Sequence, residues 1–248
     1  MQINIYTVTH KSLALPTNDL FQPILVGNRK ENIPDNFLQD DIENHIAEKN
    51  PNYCEITAMY WIWKNVKHID YIGICHYRRY FNFIDAFTFS HIKRVKKYKN
   101  RYSLEKVCSQ RHNKKIEKLL KDYDFILPKK RPLKKTMYNQ YIENHKEENL
   151  KLAIEIIHEL YPDYVTSMTQ VFNKKKGYFY SMMITSKVIY DQYMTWLMRI
   201  LFEVEQRIIK SGIGIEPRVF GFLAERLFNL YLCHHDFKIK EVQVIRKK

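Results

Sequence analysis

Apolar and polar positions change period several times along this chain, and each change predicts an element. Ile3 to Val8 (I-N-I-Y-T-V) is rich in β-branched residues and runs into the polar turn Thr9-His10-Lys11, which predicts a first strand. Pro23 to Gly27 (P-I-L-V-G) predicts a short second one. Asn28 to Asn50 is polar and turn-rich, carries the doublet Asp40-Asp41, and closes on Asn44, His45, Glu48, Lys49 and Asn50. Long ordered loops are often functional, so this stretch reads either as a cover over a ligand site or as ordinary surface.

From Asn52 to Val66 the period becomes helical, with Tyr53, Ile56, Tyr60 and Trp63 on one face. Asn52 stands at the cap position, and Glu55 follows three residues on in capping-box fashion. The tryptophans and tyrosines of this helix suit packing on a sheet better than stacking a base. Tyr71 to Cys75 then reads as a buried strand. Beyond it, Ser90 to Tyr98 and Ser103 to Asp122 look helical, and Tyr123 to Pro128 looks like a strand. Thr136 to Leu160 reads as one helix, with Tyr141 and His145 a turn apart, broken by Tyr161-Pro162-Asp163. Gly177 to Thr185 predicts a buried strand, and Ser186 caps a helix running from Lys187 to about Lys210. A turn at Ser211 to Pro217 precedes a helix over Arg218 to Leu232, in which Glu225-Arg226 sits amid apolar residues. A buried pair of this kind is costly unless it has a purpose or good partners. Phe237 to Ile245 completes the chain as an edge strand before a basic tail. Strands alternating with helices over residues 1–248 predict a single α/β domain.

Composition narrows the classes. A hydrophobic content of 45% and an aromatic content of 14% suit a globular protein, not a disordered one. No apolar run approaches the roughly 18 to 20 residues of a bilayer span. Met1 to Lys11 has neither the basic nor the apolar region of a secretory signal. Cys54, Cys75, Cys108 and Cys233 form no C-x-x-C pair, which argues against zinc and suits reduced thiols in the cytoplasm. With six glycines and no G-x-G-x-x-G, a dinucleotide fingerprint and a P-loop are both excluded.

The charge of +14 is concentrated. Residues 91–135 hold 17 Lys or Arg against four acids, so this segment carries +13 and the remaining chain is close to neutral. Such a segment meets a membrane surface, a nucleic acid or another anionic partner, or is a solvated face.

The candidate chemistry lies where the Tyr71–Cys75 run gives way to His76, Tyr77, Arg78, Arg79 and Tyr80. Ligands of open α/β sheets sit outside the carboxyl ends of strands. Two adjacent guanidiniums favour a phosphate or diphosphate there, or else pair with nearby carboxylates. Asp122-Tyr123-Asp124 is the one D-x-D, a motif that holds a divalent metal when it follows a strand; here it precedes one, so a metal such as Mn or Mg is not favoured.

These blocks resemble a family of bacterial exopolysaccharide and capsular polysaccharide biosynthesis proteins, first catalogued as a domain of unknown function and regarded as glycosyltransferases. The similarity rests on I-Y-T-V-T-H-K (5–11), P-I-L-V-G (23–27), K-N-P-N-Y-C-E-I-T-A-M-Y-W-I-W-K-N (49–65) and Y-I-G-I-C-H-Y-R-R-Y-F (71–81). It extends to F-I-L-P-K-K-R (125–131), Y-I-E-N-H (141–145) and R-V-F-G-F-L-A-E-R-L (218–227). Two places depart from the expected pattern: Asp40 to Ala47 in the loop, and Ser181-Met182 where Asn-Met is expected. The resemblance implies a GT-A-like, Rossmann-related mixed sheet flanked by helices, with 91–135 as a basic helical insertion. It also implies transfer of a hexose from a nucleotide sugar, UDP-hexose first, to a lipid-linked glycan of a capsule, exopolysaccharide or lipopolysaccharide.

On that footing Thr9, His10, Lys11, Lys49, Asn50, Tyr77, Arg78 and Arg79 are expected to bind the donor. Asp40, Glu225 and His76 are the catalytic candidates, and His145, Arg218 and Arg226 are acceptor or supporting positions. No metal ligand and no resident cofactor is expected. The protein would work in the cytoplasm against the anionic inner face of the membrane and bind no nucleic acid. The alternatives are a nucleic-acid binder using the basic segment, or a non-catalytic subunit of glycan assembly.

Overall fold

The computed structural model describes residues 1–27, 33–85, 90–212 and 214–247, so the opening of the expected long loop, 28–32, lies outside the described residues. The chain begins with strands β1 (Ile3–Thr9), β2 (Phe21–Leu25) and β3 (Leu38–Gln39), then helices α1 (Asn50–Tyr53) and α2 (Ile56–Asn65). Strands β4 (Tyr71–His76), β5 (Arg79–Phe81) and β6 (Ile92–Val95) follow, then α3 (Leu104–Val107), α4 (Asn113–Asp122), β7 (Phe125–Pro128) and β8 (Arg131–Pro132). Helices α5 (Met137–Ile142), α6 (Glu147–Leu160) and α7 (Val165–Phe172) lead to β9 (Lys176–Gly177) and β10 (Met183–Ser186). The last elements are α8 (Lys187–Lys210), α9 (Val219–His234), β11 (Ile239–Val242) and β12 (Val244–Lys247).

Among the described residues ten strands form one mixed sheet in the order β11-β7-β10-β4-β1-β2-β3, with β5, β12 and β6 branching from β4. Strands β1, β2 and β4 are parallel, and β10 runs antiparallel between β4 and β7. Hence β1, β2 and β4 end on one edge of the sheet, and β10 begins there. Alternation along each strand divides the core in two. Tyr6, Val8, Ile72 and Ile74 face a cluster built with α2, α8 and α9, whereas Ile3, Ile5 and Cys75 face one built with α4. Gly73 sits at the centre because a side chain there would come within 2.7 Å of Ile5. This is a mixed α/β fold: a central mixed sheet flanked by helices.

Several predicted elements differ. Ser103–Asp122 is not one helix but α3 and α4, parted where the Ser109 side chain accepts from the Arg111 amide and opens a 3-10 turn at Gln110–His112. The Asn52–Val66 helix is two helices, opening at Asn50 and parted at Cys54, whose φ of 54° interrupts the hydrogen-bond ladder. Ser90 to Tyr98 is not helical: Ile92–Val95 buries Ile92 and pairs with β12. The Thr136–Leu160 helix stops after Ile142, because the Asn144 side chain bonds the Gln140 carbonyl and the Asn144 and His145 amides bond that of Tyr141. Gly177–Thr185 is a strand only from Met183, since Tyr180 and Ser181 take φ of 84° and 49°. The expected edge strand at Phe237–Ile245 breaks at Gln243, whose amide bonds Asn82 and Ser90, and its second half joins β5 and β6. The basic stretch 91–135 thereby contributes β6 and β7 to the sheet. Its helix α4 buries Ile116 and Leu120 and turns Lys114, Lys118 and Lys121 to solvent. Among the described residues no helix is long and apolar enough to cross a membrane.

Candidate active site

Strands β1 and β4 end side by side, with Val8 in register with His76. After His76 the chain turns over Tyr77 and Arg78 and returns as β5, placing Arg79 opposite His76. A cavity of about 530 Å³ opens beyond these strand ends. Thr9, His10, His76, Tyr77, Arg78 and Arg79 form its sheet wall. Asn50 and Pro51 come from the start of α1, Cys54 and Glu55 from the break between α1 and α2, Tyr180 from the approach to β10, and Arg218 and Glu225 from α9 and its entry.

Backbone in the left-handed region brings these walls together. Cys54, Tyr180, Ser181 and Arg218 all have positive φ without being glycine. Such residues cost about 1 to 3 kcal/mol each and persist where the surroundings over-determine them. The surroundings here are explicit. The Tyr180 amide donates to Glu225 Oε1 at 2.8 Å, the Tyr180 carbonyl accepts from His76 Nε2, and the Arg218 amide donates to the Pro51 carbonyl at 2.9 Å. Gly221 lets α9 approach, as a Cβ there would stand 3.3 Å from Cys54 Sγ.

The electrostatics follow from that packing. Burial pushes the Glu55 carboxyl above its ordinary value, against a hydrogen bond from Ser181 and the attraction of Arg218 and Arg79. Burial raises Glu225 likewise, Arg226 opposes it, and the charge of Glu55 adds to the rise. Two carboxylates therefore share a cavity with guanidiniums, each held short of easy ionisation. Arg79 lies over the Tyr180 ring at 4.7 Å, and its buried Nε has no hydrogen-bond partner among the described residues. Burial pulls its pKa down, as do Arg246 and Arg78. His76 is neutral at physiological pH: burial lowers it to about 4, and because a carbonyl can only accept, its proton sits on Nε2. Burial lifts the Cys54 thiol to about 11, so it is not poised as a nucleophile.

A model of the family described as "Domain of unknown function (DUF4422)" matches residues 4–236. The chain belongs to the DUF4422 family. No curated protein matches it. Among solved structures, the apo form of the WbbM bifunctional glycosyltransferase is similar, with a TM-score of 0.86 and 31% identity, over 100% of this chain and 46% of that one. The chain thus spans about half the length of that protein.

Of the residues predicted for function in this DUF4422 chain, Thr9, His10, Asn50, His76, Tyr77, Arg78, Arg79, Arg218 and Glu225 line the cavity. Thr9 spends its hydroxyl locally, exchanging hydrogen bonds with the Lys11 backbone. The others lie elsewhere. Lys49 Nζ contacts both Glu205 oxygens, at 2.8 and 3.0 Å. Asp40 is fully buried and accepts from the Gly27 amide at 2.8 Å. His145 stacks on Phe222, with centroids 3.9 Å apart. Arg226 is buried, bonding Gln140, the Phe222 carbonyl and Glu225. Lys11 lines a neighbouring cavity.

Glu55 and Tyr180 line the cavity and were not predicted, and Ser181 hydrogen-bonds Glu55. Glu55 is no capping-box partner, because the Asn52 side chain bonds the Glu216 carbonyl and no side chain caps α2. Its signal was present as a carboxylate inside the K-N-P-N-Y-C-E block. Tyr180 gave none, since a tyrosine does not announce a left-handed backbone, whereas Ser181 was marked only as a departure from the expected Asn-Met.

The residues present do not fit a divalent metal at this cavity. Its two carboxylates are already opposed by Arg79 and Arg218, whose charges would repel a cation. Asp124 precedes β7 at the far edge of the sheet, accepting from the Lys238 amide, and the described residues include no cluster of three or more metal-ligating side chains.

Proposed function

We propose that this domain is a glycosyltransferase moving a hexose from a nucleoside-diphosphate sugar, UDP-hexose first, to a lipid-linked glycan of a bacterial surface polysaccharide. The observation that carries the reading is the cavity itself. It sets arginines beyond the carboxyl end of β4 and at the entry to α9 against two carboxylates, in a chain alike over its full length to part of a glycosyltransferase. The departing diphosphate needs positive charge that does not have to reorganise, and Arg78, Arg79 and Arg218 supply it. Glu55 and Glu225 stand where a carboxylate can take the acceptor hydroxyl's proton or hold the sugar. His76, being neutral, fixes the Tyr180 turn and so the shape of the sugar-facing wall. The basic face of residues 91–135 suits reversible attachment to an anionic membrane, each base near such a surface being worth about 1 kcal/mol.

The test is calorimetric titration with UDP and a panel of UDP-sugars, followed by hydrolysis and transfer assays with and without EDTA. Binding of UDP and donor turnover unaffected by the chelator are expected. Absence of nucleotide binding would overturn the assignment. Binding without any turnover would make the chain a non-catalytic subunit, and EDTA-sensitive turnover restored by manganese would overturn the role of the arginines.

A further inference from the structure

Behind the Tyr77–Arg78 turn lies a second cavity, of about 380 Å³. Lys11, Arg78 and Lys247 bring positive charge to it, and none of its described lining residues is acidic. Leu13, Tyr98 and Leu104 supply apolar surface to the same cavity, and Leu13 is 39% exposed. The Lys247 amide donates to the Arg78 carbonyl at 3.0 Å, so the last strand is anchored to the turn. Tyr77 and Arg78 line both cavities, with the guanidinium 5.0 Å from the Tyr77 ring centre, which makes the turn a partition between two compartments.

Three cations line one cavity in which none of the described lining residues is acidic, an arrangement that favours an anion. A free anion does not explain the leucines, and a purely apolar ligand does not explain the lysines. We propose that the second cavity is a subsite for an amphiphilic phosphate or diphosphate ester. Lys11, Arg78 and Lys247 take the phosphate oxygens, and Leu13, Leu104 and the Tyr98 ring take the first carbons of the hydrocarbon chain. Resting on the transferase reading, the ligand is the phosphate end of the lipid-linked acceptor, and Arg78 ties it to the donor on the other side of the turn. The binding itself requires no transfer.

The experiment titrates geranyl diphosphate, inorganic pyrophosphate and phosphatidylglycerol vesicles into the full chain, with and without saturating UDP. Geranyl diphosphate is expected to bind in both conditions. Lys247→Glu and Leu13→Asp should each weaken it about tenfold or more while leaving UDP affinity within about twofold. Pyrophosphate should bind more weakly and ignore Leu13→Asp. Circular dichroism checks that both variants fold, which is expected because both positions are exposed. Competition by UDP would place geranyl diphosphate in the first cavity and overturn the proposal. So would pyrophosphate binding equally well, which makes the site one for a free anion, or variants that lose only vesicle binding, which makes it a surface for lipid headgroups. If geranyl diphosphate binds and UDP does not, the subsite stands and the nucleotide-sugar reading falls. The reverse result removes the subsite alone.

Discussion

Two clusters of buried charge lie a few residues apart in sequence and behave oppositely. Around Glu205 every group is matched: Lys49 Nζ meets both carboxylate oxygens and the Tyr53 hydroxyl donates at 3.2 Å. Around Glu55 and Glu225 the matching is incomplete. Glu225 accepts from the Tyr180 amide and from Arg226, and Glu55 accepts from Ser181. Yet Arg79 Nε has no partner among the described residues, and the charge of Glu55 opposes ionisation of Glu225. A satisfied network offsets its desolvation and holds two elements in register, here the α1 entry against α8. An unsatisfied one persists at a cost in stability and leaves a donor open to solvent or to a ligand. A cation–carboxylate pairing thus closes on itself in one place and lines an open cavity in the other.

The largest effect that would break this contrast is on turnover. Glu225→Gln keeps an acceptor for the Tyr180 amide but loses the titratable group, and Glu55→Gln does the same beside Ser181. If either is the general base, its variant should lose about 10²- to 10⁴-fold in kcat with UDP affinity retained. Steady-state transfer assays decide it, and normal kcat in both variants would make the pair structural like Glu205.

Glu205→Leu tests the other cluster. It strands Lys49 and the Tyr53 hydroxyl and should cost about 3 kcal/mol, the low end for a broken buried pair because Lys49 is a third exposed. Urea denaturation measures this, and UDP affinity should not change. Arg79→Ala should show the converse, weakening UDP binding by about 1.5 to 3 kcal/mol with the urea midpoint preserved or raised. A variant that unfolds instead would assign Arg79 to the fold.

Asp40 sharpens the comparison through pH. Burial lifts its carboxyl to about 6, above the unfolded value of 3.8, so the folded chain holds its proton more tightly. That contribution to stability is complete below pH 4 and is lost as pH rises through 6. Asp40→Asn keeps the acceptor for Gly27 without the ionisation. It should therefore match the parent near pH 4 and exceed it at pH 8 by on the order of 2 kcal/mol, read from thermal or urea unfolding across pH. A stability gap that does not change with pH would show that Asp40 titrates normally.

Much of this was legible from local pattern. The β1 and β4 strands, the α8 and α9 helices and the cation-bearing turn after β4 follow from apolar period and from Ser186, whose side chain caps α8. Those signals survive because each element buries a face set by spacing along a single segment. The chain also disclosed that Arg78 and Arg79 stand at a strand's carboxyl end, which topology alone makes a site.

Only the tertiary structure separated cavity-lining groups from those packed elsewhere. Lys49 and Asn50 are neighbours, yet α8 offers Glu205 to the first while the second lines the cavity and donates its amide to the Cys54 carbonyl and the Thr57 hydroxyl. Glu225 and Arg226 are neighbours too, and the helix phase sends the carboxylate to the Tyr180 amide and the guanidinium to Gln140. Glu55 waited on Cys54, whose left-handed backbone parts α1 from α2 and whose side chain meets Gly221 of α9. Composition names the charges along a chain, but which of them go unpartnered depends on what distant segments bring to meet them, and that is settled by packing.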